Sequence, residues 1–181
     1  KFFGYHPLTS TPEKWSQNTY HHILLTLFAL ASIATLSVTH ILSNPSFHSL
    51  TTNYCLYLTI LSIYHLGEFY FVLYYHPDEL SWESFLIYHS REYQIATIFA
   101  QAEFFLECWL APNAKLALNA PVLMVAVPLA LGGLALRNLA FHQAKSNFHH
   151  LVRYGRDPKH CLVTTGVYSF DRHPSYLGYF V

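Results

Sequence analysis

Charge is what this 181-residue sequence has least of. Asp, Glu, Lys and Arg together make up 11% of it, against about 25% in an ordinary soluble domain. Such a deficit excludes a surface that faces water on all sides. No charged side chain occurs between Trp15 and Gly67, and none from Leu116 to Leu136. Cysteine is sparse too. Cys55, Cys108 and Cys161 are widely separated, which excludes a disulfide framework and a CxxC-type metal site. The formal net charge is zero, so no global field draws the chain to nucleic acid. GxGxxG, GxxxxGK[ST], GxSxG and HExxH are all missing. The length and the lack of βαβ patterning rule out a dinucleotide-binding domain. The 13 histidines are dispersed, and the adjacent His149 and His150 point in different directions, so no metal site is expected. Lys1 to Tyr20 is polar and lacks the short apolar run of a cleavable signal peptide. Insertion is therefore expected to rely on the first span.

Apolar length is what the sequence has in abundance: 52% of its residues are hydrophobic. A helix needs roughly 20 apolar residues to cross a hydrocarbon core about 30 Å thick. The first uncharged run is long enough for two spans and the second for one. The fold class expected is an all-α integral membrane protein with four transmembrane helices, the start of a fifth, and a cytoplasmic cofactor-binding segment. The spans read as Ile23 to Leu42, Tyr54 to Tyr75, Tyr93 to Leu110 and Leu118 to Leu136. Asn44-Pro45-Ser46 breaks the first, and the short connection makes the first pair an antiparallel hairpin. Glu103 and Glu107 make the third the weakest. The fourth holds Pro121, Pro128 and Gly132-Gly133, tolerated in membrane helices and suited to close helix approach. Residues 1–22 form an N-terminal segment, 23–136 the membrane domain, and 137–181 the cofactor-binding segment with the start of the last helix.

Four spans place nine basic residues on one side (Lys1, Lys14, Arg91, Arg137, Lys145, Arg153, Arg156, Lys159 and Arg172) and only Lys115 on the other. The positive-inside rule then makes the nine cytoplasmic. In the loop between the second and third spans, Ser81 can cap a helix start, and Trp82, Phe85, Leu86 and Tyr88 suit the interface. The sequence ends on a short apolar run, Tyr176 to Val181. Six residues cannot cross a bilayer, which suggests a fifth helix cut short.

Chemistry has two possible seats. Glu68 lies mid-span, three residues after His65 and on the same helix face; Glu103 and Glu107 share a face of the third span. Intramembrane acids either pair with neighbouring polar groups to fix packing or mark a proton or ion pathway. A pathway needs polar groups on several spans, and the first and fourth offer little besides His40. The other seat is Ser146 to Val181, rich in hydrogen-bonding groups, aromatics and small residues. Leu162 to Tyr168 is extended-prone, Gly166 permits a turn, and His173-Pro174 suits a helix start whose backbone donors can hold an anion. This segment reads either as a pocket for a small polar cofactor at the membrane surface or as a solvated loop.

His160-Cys161-Leu162-Val163-Thr164-Thr165-Gly166-Val167-Tyr168, followed by Arg172-His173-Pro174-Ser175-Tyr176-Leu177-Gly178-Tyr179-Phe180, closely resembles the isoprenylcysteine carboxyl methyltransferases. Arg137 with Ser146 to His150, Ser84-Phe85-Leu86 with His89-Ser90 and Glu92-Tyr93, and Glu103-Phe104 with Leu106-Glu107 extend the resemblance from about Ser81 to the end; the first two spans match in layout only. RHPxYxG alone is weak, because other membrane methyltransferases and sterol reductases carry similar strings. The paired block is much more specific. The resemblance implies transfer of a methyl group from S-adenosylmethionine to the C-terminal carboxylate of a prenylated (farnesyl or geranylgeranyl) cysteine, as in CaaX processing, in the endoplasmic reticulum membrane. It implies cofactor contacts from His160, Cys161, Leu162, Val163, Tyr168, His173, Pro174, Ser175 and Tyr176. Arg153 stands where the family tends to have Gln, and Arg can donate hydrogen bonds but not accept them. Asp171 departs from a usually apolar position. The family's later Arg and Glu pair, which helps bind substrate and cofactor, would follow Val181, so this stretch alone is expected to be inactive.

The physics suits that chemistry. A carboxylate with a pKa of about 3.5 is already ionised at neutral pH and needs no general base. The work left is alignment and removal of water. The fourth span and the fifth helix are expected to wall the prenyl entry. Arg172 either holds an anionic group or orders its loop by pairing with Asp157 or Asp171. The rival readings are a sterol-reductase-like oxidoreductase using a nicotinamide cofactor, which would need more spans upstream, and a transporter built on Glu68, Glu103 and Glu107.

Overall fold

The computed structural model describes residues 17–46, 48–88, 90–150 and 161–181. Every regular element among them is helical. Helix α1 is Gln17–Ser43 and α2 is Leu50–Tyr75. They pack on each other as the hairpin expected from the Asn44-Pro45-Ser46 break. Along α1, the hydroxyls of Thr26, Thr35 and Thr39 each donate to the carbonyl four residues back at 2.8 Å. That bond satisfies a polar group where no water is at hand. The Ser49 side chain starts α2 by accepting from the Thr52 backbone N–H at 3.3 Å, one of the donors a helix start leaves open.

Helix α3 is Arg91–Leu110, started by Ser90, whose side chain accepts from the Tyr93 N–H at 3.1 Å. Only Ala111 separates it from α4, Pro112–Ala144. Pro112 fits the first turn, where no intrahelical donor is needed. Pro121 and Pro128 lie inside α4 without ending it. Three stretches are long and apolar enough to cross a membrane: Tyr20–Ser43, Leu50–Tyr75 and Pro112–Asn147. The chain is thus a multi-pass membrane protein. Helix α3 forms where the third span was expected, but it is not among these three stretches.

Helix α4 also differs from its sequence reading. It does not stop at Leu136 but runs on to Ala144. Arg137 ends the apolar run, yet a charge does not end a helix when its head group finds a partner. Beyond α4 come 3-10 turns at Lys145–Asn147 and Gly166–Ser169, then the short helix α5, Pro174–Phe180. Leu162 to Thr165 forms no strand and leads into the second turn. Gly166 sits at φ 63°, a region that costs glycine nothing. A side chain there would also strike Gln143, whose Oε1 accepts from the Val167 N–H at 2.8 Å.

Helix α5 packs on α4 through two glycines. A Cβ on Gly133 would lie 2.6 Å from the Gly178 carbonyl oxygen, and one on Gly178 would lie 2.5 Å from that of Gly133. This is the close approach that small residues permit. Gly132 faces open space. An aromatic core closes the end of the molecule where α2 and α4 meet. Phe71 lies 4.4 Å from Phe141 between ring centroids, and Phe141 lies 4.5 Å from Phe148. The Trp82–Phe85 turn stacks the fully buried Phe85 on Phe69 at 4.2 Å, while Trp82 and Tyr88 stay exposed.

Candidate functional site

Glu68 is the centre of the site. It lies on α2 with 1% of its surface exposed. A carboxylate in that setting must be neutralised or strongly hydrogen-bonded. Arg137 of α4 provides this: its Nε donates to Glu68 Oε1. His150 provides a second partner, with Nε2 2.7 Å from Glu68 Oε2. Arg137 Nη1 reaches α5, donating to the Ser175 Oγ at 2.9 Å and the Ser175 carbonyl at 3.2 Å. One guanidinium therefore ties α2, α4 and α5 together. It also lies over the rings of Phe141, Tyr179 and Tyr64 at 4.8, 5.5 and 5.7 Å, positions in which a ring face attracts a cation. Among the described residues Nη2 makes no hydrogen bond.

His65, one turn before Glu68, is held separately. Its Nδ1 is 2.7 Å from the Phe85 carbonyl, which only accepts, so Nδ1 carries the proton. Nε2 then accepts from the Tyr93 hydroxyl at 3.1 Å. This chain fixes α3 and the Trp82–Phe85 turn against α2.

Two cavities meet at Arg137. The smaller, about 230 Å³, is walled by Tyr64, Leu86, Ser90, Tyr93, Arg137, His150, Tyr176 and Tyr179. The larger is an open groove of about 960 Å³, at the upper end of the usual range for small-molecule sites. Cys161, Leu162, Val163, Tyr168, His173, Pro174, Ser175 and Tyr176 all line it, as do Asn147, Phe148, His149 and His150. Every described residue of the cofactor set read from the sequence therefore borders one groove. His160 and Arg153 lie outside the described residues. Asn147 Oδ1 shapes the rim by accepting from the Cys161 N–H at 2.8 Å. Burial raises the Tyr168 phenol above its ordinary pKa, so it stays protonated and donates to the Ala140 carbonyl at 3.3 Å.

Arg172 borders the groove but is exposed. It does not pair with Asp171, whose carboxylate accepts from the His173 N–H at 2.5 Å; Asp157 lies outside the described residues. The three helix-borne acids differ in setting. Glu68 pairs in the buried interior with Arg137, whereas Glu107 pairs with Lys115 of α4 beside the α3–α4 connection and Glu103 is exposed. Arg137 and His150 are the residues that sequence reasoning missed as site members. In the sequence Arg137 stands as a basic residue past the fourth span and, with His150, as part of the stretch that carries the family resemblance, but nothing there gives either a role in the site.

The chain is similar in sequence and in fold to known proteins. Residues 124–181 match the isoprenylcysteine carboxyl methyltransferase (ICMT) family. The chain is 38% identical over 126 residues to a protein-S-isoprenylcysteine O-methyltransferase of Dictyostelium discoideum, covering 70% of this chain and 52% of the relative. It is 37% identical over 133 residues to that of Saccharomyces cerevisiae, covering 71% and 55%. With that of Homo sapiens it shares 38% identity over 124 residues, covering 68% and 43%. A solved structure of the eukaryotic intramembrane Ras methyltransferase ICMT matches at TM-score 0.79 and 30% identity, covering 91% of this chain and 57% of that one. The chain spans about half the length of the curated relatives it matches. The resemblance read from the paired strings 160–168 and 172–180 thus extends through sequence and fold.

Proposed function

We propose that this chain, similar to the isoprenylcysteine carboxyl methyltransferases, carries the donor and acceptor pockets of such an enzyme. The observation that carries this reading is the meeting of the two cavities at Arg137. The groove is the donor pocket. Its volume suits a nucleoside joined to an amino acid. Leu162, Val163, Phe148 and Tyr176 offer apolar and aromatic walls for a base, while Asn147, Thr164, His173 and Ser175 offer polar groups for a ribose and a zwitterion. The donor set fits S-adenosylmethionine, which supplies a methyl group activated on a sulfonium sulfur.

The smaller cavity is the acceptor pocket. Arg137 receives the prenylcysteine carboxylate through its Nη2 donors, while Glu68 and Ser175 hold the guanidinium plane in place. A planar guanidinium held on two sides keeps its remaining N–H donors aimed in a fixed direction, which a mobile ammonium does not. His150 steadies Glu68 from its other oxygen. The carboxylate needs no base at neutral pH, since its pKa is about 3.5. Rate comes from orientation, which can be worth about 7–11 kcal/mol, and from the Tyr64, Tyr93 and Tyr179 walls that limit water around the reacting oxygen. The prenyl chain reaches the cavity from lipid past α5 and α4, and the donor enters from the cytosol. Helix α3 crosses as the third of four spans, so that the site faces the cytoplasm of the endoplasmic reticulum membrane under the positive-inside rule.

The test is calorimetric titration of S-adenosylmethionine into the full-length purified protein, followed by methylation of N-acetyl-S-farnesylcysteine. Saturable donor binding at tens of micromolar or below, with methyl transfer to the carboxylate, is expected. Lack of donor binding, or tighter binding of a nicotinamide cofactor, contradicts the reading.

A further inference from the structure

One cluster of ligand-type side chains takes no part in the proposed methyl transfer. His76 ends α2, Glu79 lies in the 3-10 turn Pro77–Glu79 that follows, and His149 comes just after the turn that ends α4. A ring nitrogen from each histidine and a carboxylate oxygen from Glu79 all lie within 4.8 Å of one another. The two imidazole centroids are 4.7 Å apart with the rings tilted by 47°. The two histidines are half-buried and the Glu79 side chain is exposed. A small ion could be reached by all three after side-chain adjustment alone. The ligands come from two distant parts of the chain, so no local spacing announced them.

A second observation concerns the tautomer of His76. Its Nε2 is 2.8 Å from the Phe148 carbonyl oxygen. A carbonyl only accepts, so Nε2 carries the proton and Nδ1 presents the lone pair. Donation from the non-ligating nitrogen to a backbone carbonyl is the usual outer contact of a metal-bound imidazole, and it fixes both tautomer and ring orientation. Phe148 is itself held by Phe71 and Phe141, at 5.4 and 4.5 Å, so the carbonyl is not free to drift.

Two imidazoles and one carboxylate are the wrong set for Mg²⁺ or Ca²⁺, which take oxygen ligands. They suit a borderline first-row ion, and three protein ligands with water in the fourth position form a common tetrahedral zinc arrangement. We infer that His76, Glu79 and His149 form a Zn²⁺ site at the rim of the groove. The ion clips the end of α2 to the segment that follows α4. Because His149 also lines the groove, the clip fixes one of its walls. The inference stands apart from the methyltransferase reading and can fail without it.

The test uses full-length protein carrying an affinity tag free of histidine, stripped with a chelator and dialysed against micromolar zinc. Mass spectrometry of the metal content should give about one zinc per chain, as a single three-ligand site requires. Cobalt substitution should give the visible bands of a tetrahedral ion. His76→Ala and His149→Ala should lose both signals, while His48→Ala, far from the cluster, should keep them. Glu79→Gln removes the anionic ligand from an exposed position with little risk to folding, and should weaken zinc binding. It decides the matter if the histidine variants do not fold. Failure of the wild type to retain zinc, retention of stoichiometric zinc by either His variant, or wild-type zinc affinity in Glu79→Gln overturns the site.

Discussion

Two ion pairs join α4 to its neighbours, and they differ in nearly everything but charge. Glu107–Lys115 lies beside the α3–α4 connection, with its carboxylate side chain 53% exposed. Glu68–Arg137 lies at the opposite end, with 1% and 8% of the two side chains exposed. The first pair has one further contact, Lys115 over the Phe104 ring at 4.5 Å. The second gathers His150, Ser175 and three aromatic rings around it. An exposed pair closes a hairpin and can be lost cheaply. A buried one obliges everything near it to supply hydrogen bonds, and that obligation assembles a site.

The largest effect should follow from breaking the buried pair. Glu68→Ala leaves a buried guanidinium uncompensated, and such losses cost about 3–5 kcal/mol. Thermal unfolding of the detergent-solubilised protein should show a large drop, and methylation should vanish. Next comes the helix crossing that brings Ser175 to Arg137. Gly178→Ala puts a methyl group 2.5 Å from the Gly133 carbonyl, and overpacking of this kind costs about 1–3 kcal/mol. Gly132→Ala meets nothing within 4 Å and should leave unfolding unchanged. Tyr176→Ala removes a wall shared by both cavities. It should weaken donor binding by about tenfold, the equivalent of about 1.4 kcal/mol, with little change in stability. Glu107→Gln should be mild, about 0–1 kcal/mol, with methylation intact. If Glu107→Gln abolished activity while Glu68→Ala did not, the contrast between the two pairs would collapse.

The contrast also marks what could be read from the sequence. Glu68 was legible as a mid-span acid that must be paired or functional, because an uncompensated carboxylate in hydrocarbon is costly. Its partner was not, because hydropathy ends the fourth span at Leu136 and leaves Arg137 looking like a loop cation. Helix α4 continues to Ala144 because Glu68 and Ser175 satisfy that charge inside the protein. The divergence of His149 and His150 was legible from their adjacency, and each does serve a different cluster. Where they point depends on the chain fold, which no periodicity reports. The exposure of Trp82 and Tyr88 is what an interfacial position would give them, but the burial of Phe85 against Phe69 was not readable, since a four-residue turn has no repeat to show which side faces in. The RHPSY block was legible because its residues are contiguous in sequence and gather in one groove.

The central claim is that Arg137, held by Glu68, receives the acceptor carboxylate beside the donor groove. The most direct test is the methylation rate of Arg137→Lys in the full-length protein at saturating donor. Lysine keeps the charge but loses the planar fork. The expected result is a fall of about 10²-fold or more, the scale of losing one positioned donor in a water-poor site, with S-adenosylmethionine still bound. A rate equal to that of the wild type would contradict the account.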